Sequence, residues 1–314
     1  MKALVTGCAG FIGSNLTDYL LENGFEVYGL DCFTDNYSYL IKESNLQSAL
    51  KNSDFKFTEK DIMDVEEFPE VDYVFHLAAQ AGVRDSWGEN FPVYTRNNIE
   101  ATQKLLEFYK DLKIKKFVYS SSSSVYGDVD LPMKEGILPK PVSPYGVSKL
   151  AAEHLVYLYW KNYGLPTISL RYFTVYGPRQ RPDMSIHRFV KSILKGEEIT
   201  VYGDGEQTRD FTYVTDVVKA IAIAAESETN GEVFNVGGGS RISINNLLVE
   251  IEKVSGKKAR INYFQKQKGD VKDTWADLAK IESVLSWKSE TDVKTGIRNY
   301  IDWYINFYDI GGGR

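Results

Sequence analysis

The chain is poor in the side chains used most often for nucleophilic and metal chemistry. Its 314 residues hold three histidines, His76, His154 and His187, and two cysteines, Cys8 and Cys32. Their spacing builds none of the Cys/His sets that hold zinc, so no metal site is expected. The two thiols stand outside any disulfide framework and fit a reducing compartment. Positive charge is also in deficit: 37 Lys+Arg against 43 Asp+Glu give a formal net charge of −6. A nucleic-acid partner held through its phosphates needs the opposite field, so none is expected. Long apolar runs are missing, the best being residues 220–225, whereas a membrane span needs ~20. Residues 3–6 already read as a strand with glycines behind it, which leaves no room for a cleavable leader. These absences point to a cytoplasmic protein without a membrane partner. They also leave acid–base chemistry to Tyr, Lys, Ser, Asp or Glu.

Glycine, in contrast, is placed with purpose. Residues 2–6 are β-rich and end in Gly7-Cys8-Ala9-Gly10-Phe11-Ile12-Gly13. Residues 14–21 follow with Leu16, Leu20 and Leu21 at helical spacing, closed by Asn23-Gly24 as a C-cap pair. A second strand over 25–30 then ends on Asp31. Strand, glycine turn, helix, strand and acid form a βαβ unit whose backbone can approach a pyrophosphate at a helix N-terminus. Asp31 can accept hydrogen bonds from a ribose diol and would repel a 2′-phosphate, so NAD is expected rather than NADP.

The alternation continues with strands expected over 71–77, 116–119 and 167–170, and helices over 98–110 and 144–163. This predicts an α/β fold, a Rossmann-type doubly wound parallel sheet with a smaller C-terminal α/β substrate domain. Residues 1–170 are assigned to NAD binding, with 211–239 returning to that domain. Residues 171–308 are assigned mainly to substrate, and 309–314 to a flexible tail.

Tyr145 and Lys149 stand four residues apart on the expected helix 144–163, and so share a face. A cation beside a phenol favours the phenolate, which can take a proton from a hydroxyl while hydride leaves for the cofactor. Ser122, just beyond a strand end, can hydrogen-bond the same oxygen. The three make a candidate catalytic set.

These motifs, with HLAAQAGVRDSW, SSSSSVYG, SPYGVSKLAAEHL, LRYFTVYGPRQRPDM, GDGEQTRDFTYVTDVV and TWADLAK, resemble the extended short-chain dehydrogenase/reductases, and within them the NAD-dependent UDP-sugar 4-epimerases. The resemblance runs from Met1 to about Tyr308. It implies that Tyr145 is the base, Lys149 its partner and Ser122 the third member. It places Gly7, Gly10, Phe11, Ile12, Gly13 and Asp31 at the cofactor, with Asp61 and Ile62 near the adenine. Leu77, Ala78, Ala79, Gln80, Asn98 and Tyr172, with Tyr145 and Lys149, complete the NAD site. Tyr202, Arg209 and Asp270 match positions that hold uracil, diphosphate and uridine ribose. The implied reaction oxidises C4 of the hexose to a 4-keto sugar, which turns about its diphosphate linkage and is reduced on the other face. NAD then stays tightly bound. Relatives of this kind also imply a homodimer through the helices around 103–110 and 150–159.

Ser123 and Ser124 occupy the positions where related dehydratases carry an Asp-Glu pair and related decarboxylases a Glu. Hydroxyls cannot act as the acid and base of an elimination, so simple epimerisation is expected. Thr274 resembles the smaller residue that leaves room for a 2-N-acetyl group, which points to UDP-glucose or UDP-N-acetylglucosamine. Thr174 and residues 177–184 resemble the UDP-glucuronate 4-epimerases, the alternative. In that alternative, Arg84 or Arg181, with Ser123 and Thr174, meets a C6 carboxylate.

Overall fold

Short apolar strands separated by helices can bury both sheet faces only by sending alternate crossovers to opposite sides. The computed structural model, which describes residues 1–265, 269 and 271–309, follows this rule. The chain opens with β1 (Lys2–Thr6), α1 (Phe11–Glu22), β2 (Glu26–Asp31), α2 (Tyr39–Leu46) and β3 (Phe55–Glu59). It then crosses to the other side of β1 with β4 (Tyr73–His76), α3 (Phe91–Tyr94), α4 (Ala101–Tyr109), β5 (Lys116–Ser122), α5 (Pro144–Tyr163) and β6 (Thr167–Tyr172). Strands β4 and β6 are buried along their whole length.

Beyond β6 come β7 (Thr174–Tyr176), α6 (Ser185–Lys195), β8 (Glu198–Tyr202), β9 (Thr208–Tyr213), α7 (Val214–Glu226) and β10 (Glu232–Val236). Strand β10 rejoins the main sheet, whose seven strands run β10-β6-β5-β4-β1-β2-β3 with every pairing parallel. The order reverses between β1 and β4, which opens a crevice beyond their carboxyl ends. One face is closed by α1 and α7 through Leu16, Leu20, Val217 and Ile221. The other is closed by α4 and α5 through Leu105, Leu106, Ala152 and Val156.

The remaining elements are β11 (Arg241–Ser243), α8 (Ile244–Ser255), β12 (Arg260–Phe264), α9 (Ala279–Leu285) and α10 (Val293–Phe307). Strands β11, β9 and β7 form a three-stranded sheet, and β12 pairs with β8. Their core is separate, built from Ile186, Phe189, Leu247, Ile297 and Tyr300 among others. Among the described residues no helix is long and apolar enough to cross a membrane, and no group of His, Cys, Asp and Glu could hold a metal ion. Residues 310–314 of the expected tail lie outside the described residues.

Two helices place the site. Helix α5 begins where Ser143 Oγ accepts from the Gly146 N–H (3.1 Å) with Pro144 in the first turn, and ends at Gly164 with φ 73°, a capped start and a left-handed stop. The expected helix 98–110 is instead split: Thr95–Glu100 form a π-helical turn before α4. The wider turn leaves Asn98 buried, where its amide bonds the backbone of Gln80 (2.8 and 3.0 Å) and Ser148 Oγ (2.9 Å).

Candidate active site

A single cavity of about 470 Å³ runs from the glycine turn to the loop after β7, within the size range of small-molecule sites. The glycine turn is made of backbone. A Cβ on Gly13 would lie 2.0 Å from Gly7 O, and one on Gly7, whose φ is +73°, would lie 2.8 Å from Ala78 N. Only glycine allows this packing. Helix α1 has no side-chain cap and no acid in its first turn; its N-terminal dipole is thus left to an outside anion. Asp31 ties the turn together, Oδ2 accepting from Ala9 N–H (3.0 Å) and Oδ1 from Phe33 N–H (2.9 Å). Each oxygen keeps a lone pair for a diol. The donor set therefore fits an NAD pyrophosphate and ribose.

Most of the expected cofactor residues line this cavity: Gly7, Gly10, Phe11, Ile12, Gly13 and Asp31 at the turn, and Asp61, Ile62, Leu77, Ala78, Ala79 and Tyr172 beyond it. Asp61 accepts from Met63 N–H (2.8 Å) and pairs with Arg96 (2.6 Å). Burial pushes its carboxyl up, and the Arg96 and Met63 bonds outweigh this to hold it low. Gln80 and Asn98 are not among the lining residues, because they are spent on each other. They brace the wall from behind. His76 is a satisfied core histidine, bonded to Thr6 Oγ1 and Thr102 Oγ1 at 2.8 Å each and kept neutral by burial, its pKa near 3. The sequence reading missed Lys42. Its stem is buried in α2, its Nζ bonds Thr34 and Asn36 (2.9 Å to Asn36 Oδ1), and it lies 4.6 Å from the Tyr37 ring centre. All four residues line the cavity near Asp31. The sequence shows only a lysine eleven residues past the closing acid of the βαβ unit; its burial came from the fold.

Ser122, Tyr145 and Lys149 meet on the cavity wall. Ser122 stands at the end of β5, its Oγ accepting from Ser124 N–H (3.1 Å), and Tyr145 and Lys149 stand one turn apart on α5. Burial raises the Tyr145 phenol, while a hydrogen bond with Ser122 and the charge of Arg181 pull it down. Lys149 Nζ lies 4.4 Å from the centre of the Tyr119 ring, and burial lowers its pKa to about 7.

The expected substrate residues divide. Ser123, Thr174 and Arg181 share the cavity wall with the catalytic candidates. Arg181 is held as a fork by Asp183, Nε to Oδ1 at 3.0 Å and Nη2 to Oδ2 at 2.8 Å. Arg84 is separated from Arg181: its guanidinium lies 4.5 Å from the ring centre of Tyr202, outside the lining set. Of the two arginines offered for a carboxylate, only Arg181 is beside the catalytic candidates. Arg209 donates to Thr208 O and Lys272 O at 2.8 Å each. Thr274 is buried with its Oγ1 accepting from Asp210 N–H (3.2 Å), which ties the strap 271–277 to β9. Asp270 lies outside the described residues.

The comparisons agree with this geometry. The family model described as GDP-mannose 4,6 dehydratase matches residues 4–300. A UDP-glucuronate 4-epimerase of Thermodesulfobacterium geofontis is 42% identical over 96% of this chain and 95% of its own. The structure of the UDP-glucuronic acid 4-epimerase from Bacillus cereus, solved with UDP-glucuronic acid and NAD, superimposes with TM-score 0.94 at 44% identity, covering 98% of this chain and 100% of that one. A UDP-N-acetylglucosamine 4-epimerase from Methanobrevibacter ruminantium, in complex with UDP-N-acetylmuramic acid, gives 0.91 at 36% identity, covering 98% of each chain. The chain belongs to the extended short-chain dehydrogenase/reductases matched by that family model, and within them to the NAD-dependent UDP-sugar 4-epimerases.

Proposed function

We propose that this chain inverts C4 of UDP-glucuronate, with Ser122, Tyr145 and Lys149 as its catalytic residues. The observation that carries the choice of sugar is Arg181, on the same cavity wall as Tyr145 with Ser123 and Thr174 beside it. A guanidinium there offers a C6 carboxylate a charge-assisted bond, and a C6 hydroxymethyl group gains little from it. The UDP-glucuronate 4-epimerases among the relatives support the same choice over UDP-glucose and UDP-N-acetylglucosamine. Tyr202, Arg209, Asp270 and the strap 271–277 are assigned to the uridine diphosphate, and the sheet end to the cofactor.

NAD, when bound, supplies the hydride acceptor and donor for C4. Its pyrophosphate is held by the glycine turn and its ribose by Asp31. Tyr145 takes the proton of the 4-hydroxyl and later returns it, with Ser122 bonding the same oxygen. Arg181 anchors the C6 side of the sugar. Lys149, with a pKa near 7, shifts between ammonium and amine as the charge on Tyr145 changes. Positions 123 and 124 offer only hydroxyls, so no acid is at hand for elimination from the keto sugar. Exposed apolar residues on α3 and α5, Phe91, Val93, Tyr157 and Leu158, support a homodimer, and the reducing chemistry of the two free thiols supports a cytoplasmic setting.

The test is turnover of UDP-glucuronate, UDP-glucose and UDP-N-acetylglucosamine without added NAD, read by sugar NMR. UDP-glucuronate is expected to be preferred, and Arg181→Ala to lower its kcat/KM about 100-fold, the scale of one lost charge-assisted contact, with the other sugars affected less. An equal loss on all three substrates would remove the carboxylate assignment. Full activity in Tyr145→Phe would remove the mechanism.

A further inference from the structure

Glu153 lies one turn beyond Lys149 on the same face of α5, and is only 4% exposed. Its carboxylate is fully engaged. Oε2 accepts from Ser121 Oγ (2.6 Å) and Arg171 Nε (3.0 Å), and Oε1 accepts from Arg171 Nη2 (2.5 Å). Ser121 and Arg171 are register partners across β5 and β6. Each stands directly before a residue of the cavity wall, Ser122 and Tyr172. One carboxylate thus joins α5, β5 and β6 at the point where all three deliver their site residues. Arg171 extends the joint, donating to Glu135 O (3.4 Å) and lying 4.7 Å from the ring centre of Tyr126.

We propose that Glu153 is a positioning residue of this site: fixed by Ser121 and Arg171, it sets the seat of Lys149 and supplies the counter-charge that Lys149 faces. A buried carboxylate–guanidinium pair is a poor way to gain stability, since an apolar pair of the same volume serves as well. Its place, four residues from Lys149, gives it another use. The other titratable groups facing this pocket are His76 from β4, Tyr119 from β5, Tyr145 and, against Tyr145, Tyr94 and Arg181. None of them is an anion at neutral pH except Tyr145 itself during turnover. Glu153 is the charge that opposes the effect of burial on Lys149.

The proposal rests on the Tyr145–Lys149 assignment, and its test is separable from the test of that assignment. The measurement is kcat/KM against pH for the NAD-loaded enzyme, with bound NAD quantified after denaturation. Without the anion, Lys149 loses its proton at lower pH and the Tyr145 phenolate forms at higher pH. Glu153→Gln is therefore expected to move the alkaline limb down and the acid limb up, each by about half a pH unit or more. The rate at the optimum falls about 10- to 100-fold, within the range of acid–base contributions, with the substrate KM within about threefold and NAD retained. Glu153→Asp keeps the charge and is expected to keep the limbs near their original positions. Should Glu153→Gln fail to fold with an orphaned guanidinium, the double variant E153Q/R171Q removes that liability and is expected to show the same narrowed profile. Limbs that stay in place while only the amplitude falls would overturn the proposal, as would equal displacement by Glu153→Asp. Activity in Tyr145→Phe, by contrast, would remove the underlying assignment whatever Glu153 does.

Discussion

Two segments wall the same cavity and are built on opposite principles. The glycine turn after β1 is pinned by side chains, among them Asp31 and Asn45, whose Nδ2 donates to Ala9 O (3.0 Å), but its shape is set by backbone. It is folded by local backbone bonds such as Gly10 N–H to Gly7 O (3.0 Å), and by close approach that leaves no room for a Cβ. The loop 177–184 after β7 is held by side chains that reach across the molecule. Arg179, with φ +68°, pairs with Asp18 on α1 at 2.6 Å, and Asn15 Nδ2 donates to Pro178 O (3.2 Å). Gln180 Nε2 closes the loop on Val175 O (3.1 Å), and Arg181 is forked onto Asp183. The comparison teaches where the two kinds of specificity are stored. A site for a constant ligand, the dinucleotide, is written in backbone that tolerates nothing else. The facing wall is written in exchangeable side chains on a loop tied down from afar.

The largest effect is expected from breaking the backbone wall. In Gly13→Ala the new Cβ falls on the Gly7 carbonyl, and no flexible side chain can yield. NAD retention and activity should fall at least about 100-fold, an overpacking cost on the order of 3 kcal/mol. Bound NAD measured after denaturation checks this, and a purified variant that keeps its full complement would contradict it.

Loosening the tethered wall should cost less and act selectively. Asp18→Ala frees Arg179 from a pair that is about one-fifth exposed on each side, so the expected loss is about 1 kcal/mol. The KM for UDP-glucuronate should rise about three- to tenfold with kcat within twofold. A matching loss of bound NAD would show that the two walls are not separable.

The smallest effect concerns Asp210, the buried partner of the strap 271–277. Asp210 is buried, accepting from Gly238 N–H (2.6 Å) and Ala276 N–H (3.0 Å); burial pushes its carboxyl up to about 6 against the pull of these two bonds. An unfolded carboxyl titrates near 4, so between about pH 6 and 4 the folded state binds more proton than the unfolded state. The native protein should therefore gain stability relative to Asp210→Asn as pH falls from 7 to 5. The difference in Tm between the two, followed by calorimetry, should shift by a few degrees in that direction. A difference independent of pH would mean that Asp210 does not titrate there.

Much of the fold and half of the site were legible in the residues. The βαβ start, the reach of α5 over 144–163, and the shared face of Tyr145 and Lys149 all rest on short-range patterns: glycine spacing, helical periodicity, four-residue offset. What was misread came from distant contacts. The start of the expected helix 98–110 is a π turn over Thr95–Glu100, where Asn98 bonds Gln80 and Ser148. Arg181, which shares the cavity wall with Tyr145, arrives from another loop. Arg84 and Arg181 look alike as arginines near motif residues, and only folding sets one on Tyr202 and the other beside Tyr145.

By itself the sequence determined the glycine turn, the acid that favours NAD, the offset of Tyr145 and Lys149, and the lack of acids at 123 and 124. Each is a matter of neighbours in the chain, where backbone geometry translates spacing directly into placement. Only the tertiary structure decided which arginine shares a wall with Tyr145, and that one buried carboxylate joins three elements at the site. Charges act through space and through the loss of water around them, and neither distance nor burial can be read from the order of residues.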